Sequence, residues 1–381
     1  MKNKEMQPRS DDLAPLILHT EASRGWGGQE IRILAEMEGM RRRGLRTLLL
    51  APEESGILSR ARKASFPVIP VSYASKIDPE AWMKTWRTFR RLRPAVVNTH
   101  SSKDSWIAGA VARATGVPLI IRTRHVSTPI GSVFSYRLFP HLILTTSRAI
   151  GEGLAARGVD QDRILTLPTG IDFDRFRFDP GQREMIRREL DVAPSEILVG
   201  NICIMRSWKG LDFFIETAAA LGEPFRFVLV GDGPQRERLQ GRAGALGLEN
   251  RILFPGFQDR VEGFFSALDI FFFTSYASEG IPQSLLQALG CGLPVVAGRN
   301  PSINEVLNAL PYSWQVDYGD VKEAGRALGR AAKHLHRQRV LDDIKARGLL
   351  HRHALEGMWD QLLEIYRRHG IQKIDDNKNQ G

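Results

Sequence analysis

Short apolar runs separated by longer helical patterns recur through this chain, and they constrain its fold more than any other feature. Runs of this length, bounded by turn residues, are typical of buried parallel strands, and their alternation with helices predicts βαβ units. Two successive series of such units predict an α/β protein with two Rossmann-like doubly wound domains. The runs lie at residues 16–18, 47–50, 68–71, 96–98, 119–122 and 142–145, and then at 198–203, 226–230, 252–254, 270–273 and 295–297.

The charged, weakly patterned segment 167–194 separates the two series and is typical of a linker. We place the boundary at Asp172, which gives an N-terminal domain over residues 1–172 and a C-terminal domain over residues 173–354. Apolar residues at helical spacing predict a last helix over residues 355–370, and the polar residues 371–381 are expected to form a disordered tail.

The charge and cysteine content limit the partners and the compartment. In 381 residues, 53 Lys and Arg against 43 Asp and Glu give a formal net charge of +10, so the surface should attract nucleotide phosphates, nucleic acid or an anionic membrane. Cys203 and Cys291 have no second ligand at metal-binding spacing, which favours a reduced, cytoplasmic protein. The polar N-terminus and the lack of a run of about 18 apolar residues predict that any membrane contact is peripheral.

In the second half, two segments after apolar runs could bind an anion. Gly280 permits a tight approach and Pro282 suits a first helical position, so the helix that follows would offer its backbone donors to a phosphate. Arg206 and Lys209 follow the 198–203 run, where fixed cations could neutralise a departing diphosphate. The alternatives are an ordinary strand-to-helix turn for the first segment and two solvated surface cations for the second.

In the first half, Gly27 and Gly28 follow the first apolar run, where glycines let a backbone come close to a phosphate or a sugar. Neither this segment nor the Gly231 turn completes a dinucleotide fingerprint, which disfavours a nicotinamide enzyme. Arg124 and His125 end the fifth run, where we expect His125 to orient a substrate and Arg124 to lie near a phosphate or an anionic acceptor. The alternative for His125 is a histidine whose hydrogen bonds are satisfied by backbone at a strand end. His100 also ends a strand, and we expect it to line the wall of the site rather than to act.

Segment 278–288, with the 290–297 segment after it, resembles the donor-site motif of retaining GT-B glycosyltransferases of family 4. The resemblance implies that Glu279 holds the hydroxyls of the donor sugar, and Gln287 stands where the family has a second, ribose-binding acid. Segment 168–172 resembles the family's interdomain signature, and segment 230–234 resembles its second-domain glycine turn. Ile204 stands where the family places its diphosphate arginine, and Arg206 could reach the same phosphates from two residues on.

The resemblance implies two domains that face a cleft, with the last helix packed back on the first domain, and transfer of a sugar with retention from a UDP-, GDP- or ADP-sugar. It implies a glycan or glycolipid acceptor, as in lipopolysaccharide or other cell-envelope biosynthesis, with no cofactor, no metal and no nucleic acid. The alternatives are a sugar-nucleotide epimerase of the same fold and a non-catalytic homologue that binds the sugar nucleotide. The expected site residues are His125, Lys209 and Glu279 for catalysis, Arg206, Gly231, Gly233, Gly280, Ile281, Pro282 and Gln287 for the donor, and Gly27, Gly28 and Arg124 for an acceptor or phosphate loop.

Two further patterns concern metals and membranes. Asp172 and Asp174 mimic a metal-binding pair, but they lie in the predicted linker, so a turn is expected there. The helix predicted over residues 79–94 carries Trp82, Trp86 and Phe89 on one stripe and basic residues on another, and it could dock on an anionic leaflet or simply pack on the sheet. A second possible contact is formed by Leu58, Arg60, Arg62 and Lys63.

Overall fold

The computed structural model describes residues 14–128, 130–276, 280–308 and 310–371. The chain divides into two compact units. The first consists of residues 1–125, 130–168 and 356–381, and the second of residues 126–129 and 169–355, as far as each is described. Glu279 and all but Ile371 of the predicted tail lie outside the described residues.

The first unit is built on a parallel sheet of seven strands in the order β3-β2-β1-β4-β5-β6-β7. Its strands are β1 (Leu16–Thr20), β2 (Arg46–Ala51), β3 (Val68–Pro70), β4 (Val96–Thr99), β5 (Leu119–Arg124), β6 (Leu142–Thr145) and β7 (Ile164–Thr166). The helices that connect them are α1 (Gly28–Arg42), α2 (Gly56–Lys63), α3 (Pro79–Leu92), α4 (Ser102–Ala114), α5 (Phe134–Leu138) and α6 (Arg148–Ala155). The central strands are fully buried because helices cover both faces of the sheet.

The second unit repeats this plan with six parallel strands in the order β10-β9-β8-β11-β12-β13. Its strands are β8 (Ile197–Ile202), β9 (Phe225–Val230), β10 (Ile252–Gly256), β11 (Ile270–Phe273), β12 (Val295–Gly298) and β13 (Ser313–Val316). Its helices are α7 (Pro180–Glu189), α8 (Leu211–Ala220), α9 (Arg236–Ala245), α10 (Glu262–Ala267), α11 (Gln283–Gly290), α12 (Pro301–Leu307), α13 (Val321–Ala331), α14 (Arg337–Ala346) and α15 (Leu349–Arg352). Two rings of buried phenylalanines, Phe214 and Phe272, stack in its core.

Each sheet reverses its strand order once, and these switch points are where ligands bind in folds of this kind. In the first unit the reversal lies between β1 and β4, which pair in register from Ile17 with Val96 to Thr20 with Thr99. In the second it lies between β8 and β11. Residues that follow the carboxyl ends of these four strands are therefore the first candidates for a site.

The two doubly wound domains predicted from the apolar runs are confirmed, and each predicted run lies in a strand. Two strands were not predicted, β7 and β13. Both are edge strands whose residues are only partly buried, so their sequences lack the continuous apolar run of a central strand. The other two edge strands, β3 and β10, were predicted, because their sequences do carry a short apolar run.

The last helix, α16 (Leu355–Arg368), packs on α1 of the first unit. The indole Nε1 of Trp359 donates to the carbonyl oxygen of Ala35 at 2.7 Å, and Trp359 is almost fully buried. Arg43 forms ion pairs with Glu356 and Asp360 at the edge of this contact. The first unit is therefore completed by residues that follow the whole second unit in sequence.

Helix α3 does not bury its aromatic residues as one stripe. Phe89 is buried, Trp82 is half-buried and Trp86 is 43% exposed. In the second membrane contact considered from the sequence, Leu58 lies in α2 and is fully buried, so it offers no exposed apolar side chain, and Arg62 pairs with Glu53. Across the described ranges, no helix combines the length and the apolar character that a membrane span requires.

Candidate active site

Three histidines at the switch point of the first unit form one hydrogen-bonded chain. His19 lies in β1, while His100 and His125 follow the neighbouring strands β4 and β5, so the parallel sheet brings their side chains to the same edge. His19 Nδ1 lies 3.0 Å from His100 Nε2, and His100 Nδ1 lies 2.9 Å from His125 Nε2. The rings of His19 and His100 are stacked, with an interplanar angle of 6°. The fold thus brings together residues that are far apart in sequence.

All three histidines are held neutral. Burial lowers the pKa of His19 from 6.5 to about 3. Burial also lowers the pKa values of His100 and His125 far below 6.5, and the positive charge of Arg32 acts in the same direction on both. A chain of neutral imidazoles can accept and donate hydrogen bonds at neutral pH, but it carries no charge to stabilise an anion.

A buried ion pair lies beside the histidine chain. Arg32 Nε donates to Glu36 Oε1 at 2.8 Å within α1, and both side chains are almost completely buried. Asn98 extends the network, because its amide reaches Glu36 Oε2 at 3.4 Å and its carbonyl accepts from Thr123 Oγ1 at 2.9 Å. A buried pair of this kind is weak evidence for stability and points instead to a requirement for specific geometry.

The glycine loop before α1 is anchored by a second network. Glu21, directly after β1, accepts from the backbone N–H groups of Ala22 and Ser23, both at 2.7 Å, and from the side chains of Ser101 and Gln29. The loop ends where Glu30 Oε2 accepts from Gly27 N at 2.9 Å and caps α1. The predicted loop residues Gly27 and Gly28 are therefore held at the same sheet edge as the histidines.

Asp104, in the first turn of α4, lies under this loop. Its Oδ2 accepts from Thr20 Oγ1 at 2.7 Å and from His100 N at 3.0 Å. Burial, followed by the charge of Glu21, raises its pKa from 3.8 to about 8. At neutral pH the buried carboxyl group is therefore mostly protonated.

His19, Glu36 and His100 are also spaced so that they could hold a metal ion, since one ligand atom from each lies within 4.8 Å of the others. The ligand atoms of these three residues already take part in hydrogen bonds or an ion pair in this structure. The facing nitrogens of His19 and His100 share a hydrogen bond, and Arg32 neutralises Glu36. A divalent cation would be repelled by the Arg32 guanidinium, so hydrogen bonding explains this cluster better.

In the second unit, the loop with Arg206 and Lys209 follows β8 and is held on both sides by backbone. On one side, Cys203 N donates to Val230 O at 3.0 Å and Met205 N to Asp232 O at 2.8 Å. On the other, Thr274 Oγ1 donates to Lys209 O at 2.8 Å and Ser275 Oγ to Trp208 O at 3.0 Å. Residues 207–209 form a single 3₁₀ turn. Both cations are thus carried by a loop whose backbone is fixed.

The glycine turn after β9 makes this arrangement possible. Gly231 and Gly233 have φ angles of 129° and 154°, which side chains rarely permit. A Cβ atom on Gly231 would overlap the carbonyl oxygen of Cys203, and one on Gly233 would lie 2.6 Å from that of Met205. The turn therefore packs directly against the cation loop, and only glycine allows the approach.

The remaining predicted donor residues lie near α11. Gly280, Ile281 and Pro282 are buried, and Pro282 precedes the helix as its N-cap rather than occupying the first helical position as predicted. Gln287 is half-buried in the second half of α11. Glu279 lies outside the described residues.

Three other residues singled out from the sequence form hydrogen bonds in the structure. His100 was expected to line the wall of the site, but it is buried between His19 and His125. Asp172 forms a turn, because its Oδ1 accepts from the backbone of Asp174 and Arg175 at 3.1 Å each. Arg124 donates to the hydroxyl of Tyr136 at 2.8 Å.

Sequence reasoning missed the part of the site that lies under the surface. It did not select His19, Glu21, Arg32, Glu36 or Asp104. The sequence carried a signal for four of these residues. His19 and Glu21 are polar residues at the end of an apolar strand. Arg32 and Glu36 are charged residues at i, i+4 spacing on one face of a helix. Polar residues in otherwise apolar positions indicate a buried network.

Two family models match the chain, one in each unit. The model described as Glycosyltransferase Family 4 matches residues 26–175, and the model described as Glycosyl transferases group 1 matches residues 194–334. The first match begins after β1 and includes β4, and the second match includes both β8 and β11 of the second switch point.

Known proteins similar to this chain are transferases. It is 27% identical to a 2-deoxystreptamine N-acetyl-D-glucosaminyltransferase of Streptomyces fradiae over 90% of each chain. It is 23% identical to an Escherichia coli UDP-Gal:alpha-D-GlcNAc-diphosphoundecaprenol alpha-1,3-galactosyltransferase, over 66% of this chain and 70% of that protein. The fold matches the crystal structure of Anabaena Alr3699/HepE in complex with UDP and glucose, with a TM-score of 0.82 and 19% identity, over 92% of this chain and 99% of that one.

Proposed function

Because this chain is a glycosyltransferase of family 4 with the GT-B fold, we propose that its second unit binds a nucleotide diphosphate sugar and its first unit binds the acceptor. The observation that carries this proposal is the cation loop of the second unit. Arg206 and Lys209 stand at the switch point on a backbone fixed from both sides, between β9 and β11. Cations that are already in place need no reorganisation when charge develops.

The proposed chemistry is departure of a nucleoside diphosphate as the sugar passes to the acceptor. Lys209, helped by Arg206, neutralises the charge that develops on the leaving group. The turn at Gly231 and Gly233 packs against the cation loop and so holds that loop beside the donor phosphates. The positive charges of the loop supply the role that a divalent metal has in other transferases, so transfer should continue in the presence of EDTA.

The remaining residues are assigned to the two substrates. Gln287 meets the ribose as both donor and acceptor of hydrogen bonds, and Glu279 orients the donor sugar. His125 and Arg124, with the loop at Gly27 and Gly28, bind on the acceptor side. The donor is a UDP-sugar, supported by the UDP bound to the Anabaena protein and by the UDP-Gal in the name of the Escherichia coli relative. Transfer proceeds with retention.

The acceptor is a cell-envelope glycolipid. Support comes from the lipid-linked substrate named for the Escherichia coli relative and from the net charge of +10, which favours an anionic surface. A second candidate is an aminocyclitol, because the Streptomyces relative, matched over 90% of each chain, is named for 2-deoxystreptamine.

The test is release of nucleoside diphosphate from UDP-, GDP- and ADP-sugars with each acceptor in turn. The acceptors are GlcNAc-diphosphoundecaprenol, a lipopolysaccharide core and 2-deoxystreptamine, and products are identified by mass and by the anomeric configuration in NMR. Release that requires the lipid acceptor and adds one hexose mass supports the proposal. Isomerisation of the donor without an acceptor would indicate an epimerase, and binding without release would indicate a non-catalytic protein.

The proposal includes peripheral binding to the inner face of the cytoplasmic membrane through α3. Met83 and Trp86 on this helix are 47% and 43% exposed, and Ile77 just before it is 86% exposed. Arg87 and Arg90 are exposed on the same helix. Apolar side chains surrounded by arginines match the interface of an anionic bilayer.

Sedimentation with vesicles tests this contact. We expect binding to vesicles of phosphatidylglycerol and phosphatidylethanolamine that is lost in high salt and absent with phosphatidylcholine alone. The double variant Met83→Ser/Trp86→Ser should lose most of the binding. Met185→Ser is the matched control, because Met185 is 48% exposed on α7 of the other unit. Unchanged binding of the double variant would show that α3 is not the contact.

A further inference from the structure

The proposed reaction uses His125 but leaves the two histidines behind it without a role. His19 is fully buried, and its Nε2 has no hydrogen-bond partner among the residues that the structure describes. Burial of three imidazoles, one of them with an unpartnered ring nitrogen, costs free energy that apolar side chains in the same positions would not cost. Their arrangement therefore indicates a selected function for the chain of rings rather than packing alone.

The geometry couples the protonation sites of the three rings. A neutral imidazole carries one N–H, so it donates with one nitrogen and accepts with the other. If His19 Nδ1 donates to His100 Nε2, then His100 must carry its proton on Nδ1 and donate to His125 Nε2. His125 then carries its proton on Nδ1. In the opposite order all three rings carry the proton on Nε2. The rings thus share one tautomer.

His19, the innermost of the three histidines, determines whether the rings carry their protons on Nδ1 or on Nε2. In the Nε2–H state, His19 would hold a buried N–H group that has no acceptor among the described residues. In the Nδ1–H state the same atom is a bare ring nitrogen. Buried N–H groups without a partner are rarer in proteins than acceptors without one. The Nδ1–H state is therefore favoured.

We propose that His19 and His100 are positioning residues that hold His125 in the Nδ1–H tautomer, so that its Nδ1 faces the bound substrate as a hydrogen-bond donor. This proposal rests on the assignment of His125 to the substrate site of the first unit. The hydrogen bond from Thr146 Oγ1 to the His125 carbonyl oxygen, at 3.1 Å, holds the backbone of the same residue. Because the three histidines are buried, water does not compete for the ring nitrogens that join them.

The first measurement reads the tautomer without any need for activity. In protein labelled with ¹⁵N-histidine, the signals of His19, His100 and His125 should all show protonated Nδ1 and bare Nε2, unchanged between pH 6 and pH 8 because burial keeps the three rings neutral. Assignment uses single His→Asn variants. Signals for Nε2–H, or for a mixture of tautomers, would overturn the proposal.

The second measurement separates positioning from a structural role. His19→Leu removes the donor, and we expect turnover to fall by about 10- to 100-fold, as for other residues that orient an active group, while KM for the nucleotide sugar stays unchanged. His19→Asn keeps an N–H that can donate to His100, and it should restore most of the turnover and the Nδ1–H signal of His125. The exposed His369→Asn variant is the control.

The outcomes distinguish this proposal from the proposed function. If His19→Leu is folded and keeps wild-type turnover, the positioning role is wrong while the transferase assignment stands. If the wild-type protein transfers no sugar, the NMR result still decides the tautomer. Should His19→Leu fail to fold, the His19→Asn variant and the wild-type spectrum provide the test. One equivalent of bound zinc that is lost in His19→Asn would replace the hydrogen-bonded chain by a metal site and overturn the proposal.

Discussion

The two switch points of this protein have the same strand topology but are stabilised by different interactions. In the first unit, the edge near β1 and β4 is organised by buried side chains, with a histidine chain, an ion pair and a protonated Asp104. In the second, the edge near β8 and β11 is organised by backbone hydrogen bonds and by glycines that allow close contact. Among the described residues, the charged pair of Arg32 and Glu36 is buried beside the first edge, whereas Arg206 and Lys209 lie on the loop of the second edge.

The two edges are suited to different ligands. A site of neutral, buried groups can orient a hydroxyl through hydrogen bonds without binding a polyanion tightly. A fixed loop that carries the exposed Arg206 and the half-buried Lys209 can meet phosphates, but among its described residues it has few buried groups to direct a proton.

Removal of a cation from the second edge should have the largest effect. We expect Lys209→Ala to lower turnover by about 10²- to 10³-fold, or about 3 to 4 kcal/mol, because a preorganised charge on the leaving group is lost. Steady-state kinetics with the nucleotide sugar measures this. The exposed Lys322→Ala in α13 is the control and should behave as wild type. Wild-type turnover in Lys209→Ala would remove the diphosphate assignment.

The backbone contact of the second edge should respond to a single methyl group. Gly231→Ala combines a φ of 129° with an overlap on the Cys203 carbonyl, so we expect the free energy of unfolding to fall by about 3 kcal/mol. Urea denaturation measures the change. Gly241→Ala, in α9 with nothing within 4 Å of an added Cβ, should instead stabilise by up to about 1 kcal/mol. Equal stability of the two variants would show that the tight approach is not required.

The first edge should respond to pH. Because the pKa of Asp104 is raised to about 8 from an ordinary value of 3.8, its contribution to stability is complete below pH 4 and is lost as the pH rises through 8. Asp104→Asn resembles the protonated form and has no such dependence. The variant should therefore gain stability relative to wild type as the pH rises from 4 to 8. Parallel stability curves for both proteins, measured by urea denaturation, would contradict a buried, protonated Asp104.

The same contrast explains how much the sequence could predict. The fold followed from apolar runs, because a parallel strand buried on both faces leaves a continuous apolar signal in the sequence. The strands β7 and β13, whose sequences are ILT and SWQV, carry no such run and were missed. The second edge is made of contiguous segments, so the glycines at 231 and 233 and the cations at 206 and 209 could be selected from local spacing. Their roles in binding remain predictions.

The first edge could not be predicted in the same way. Its members come from β1, α1 and the ends of β4 and β5, and only the pairing of strands sets His19 beside His100. His125 was selected because it ends a strand, whereas the dependence of its tautomer on His19 is a property of three rings together. A single sequence carries no local sign of such a contact.

The return of α16 to the first unit has a consequence for synthesis on the ribosome. The groove of α1 that receives Trp359 is complete only after the whole second unit has left the exit tunnel. Until then the nascent first unit lacks the buried side chains of Trp359, Leu362 and Tyr366, and the part of α1 around Ala35 and Gly39 that Trp359 covers stays exposed. We expect this interval to be when the chain depends most on chaperones, since translation proceeds at only about 5 to 20 residues per second.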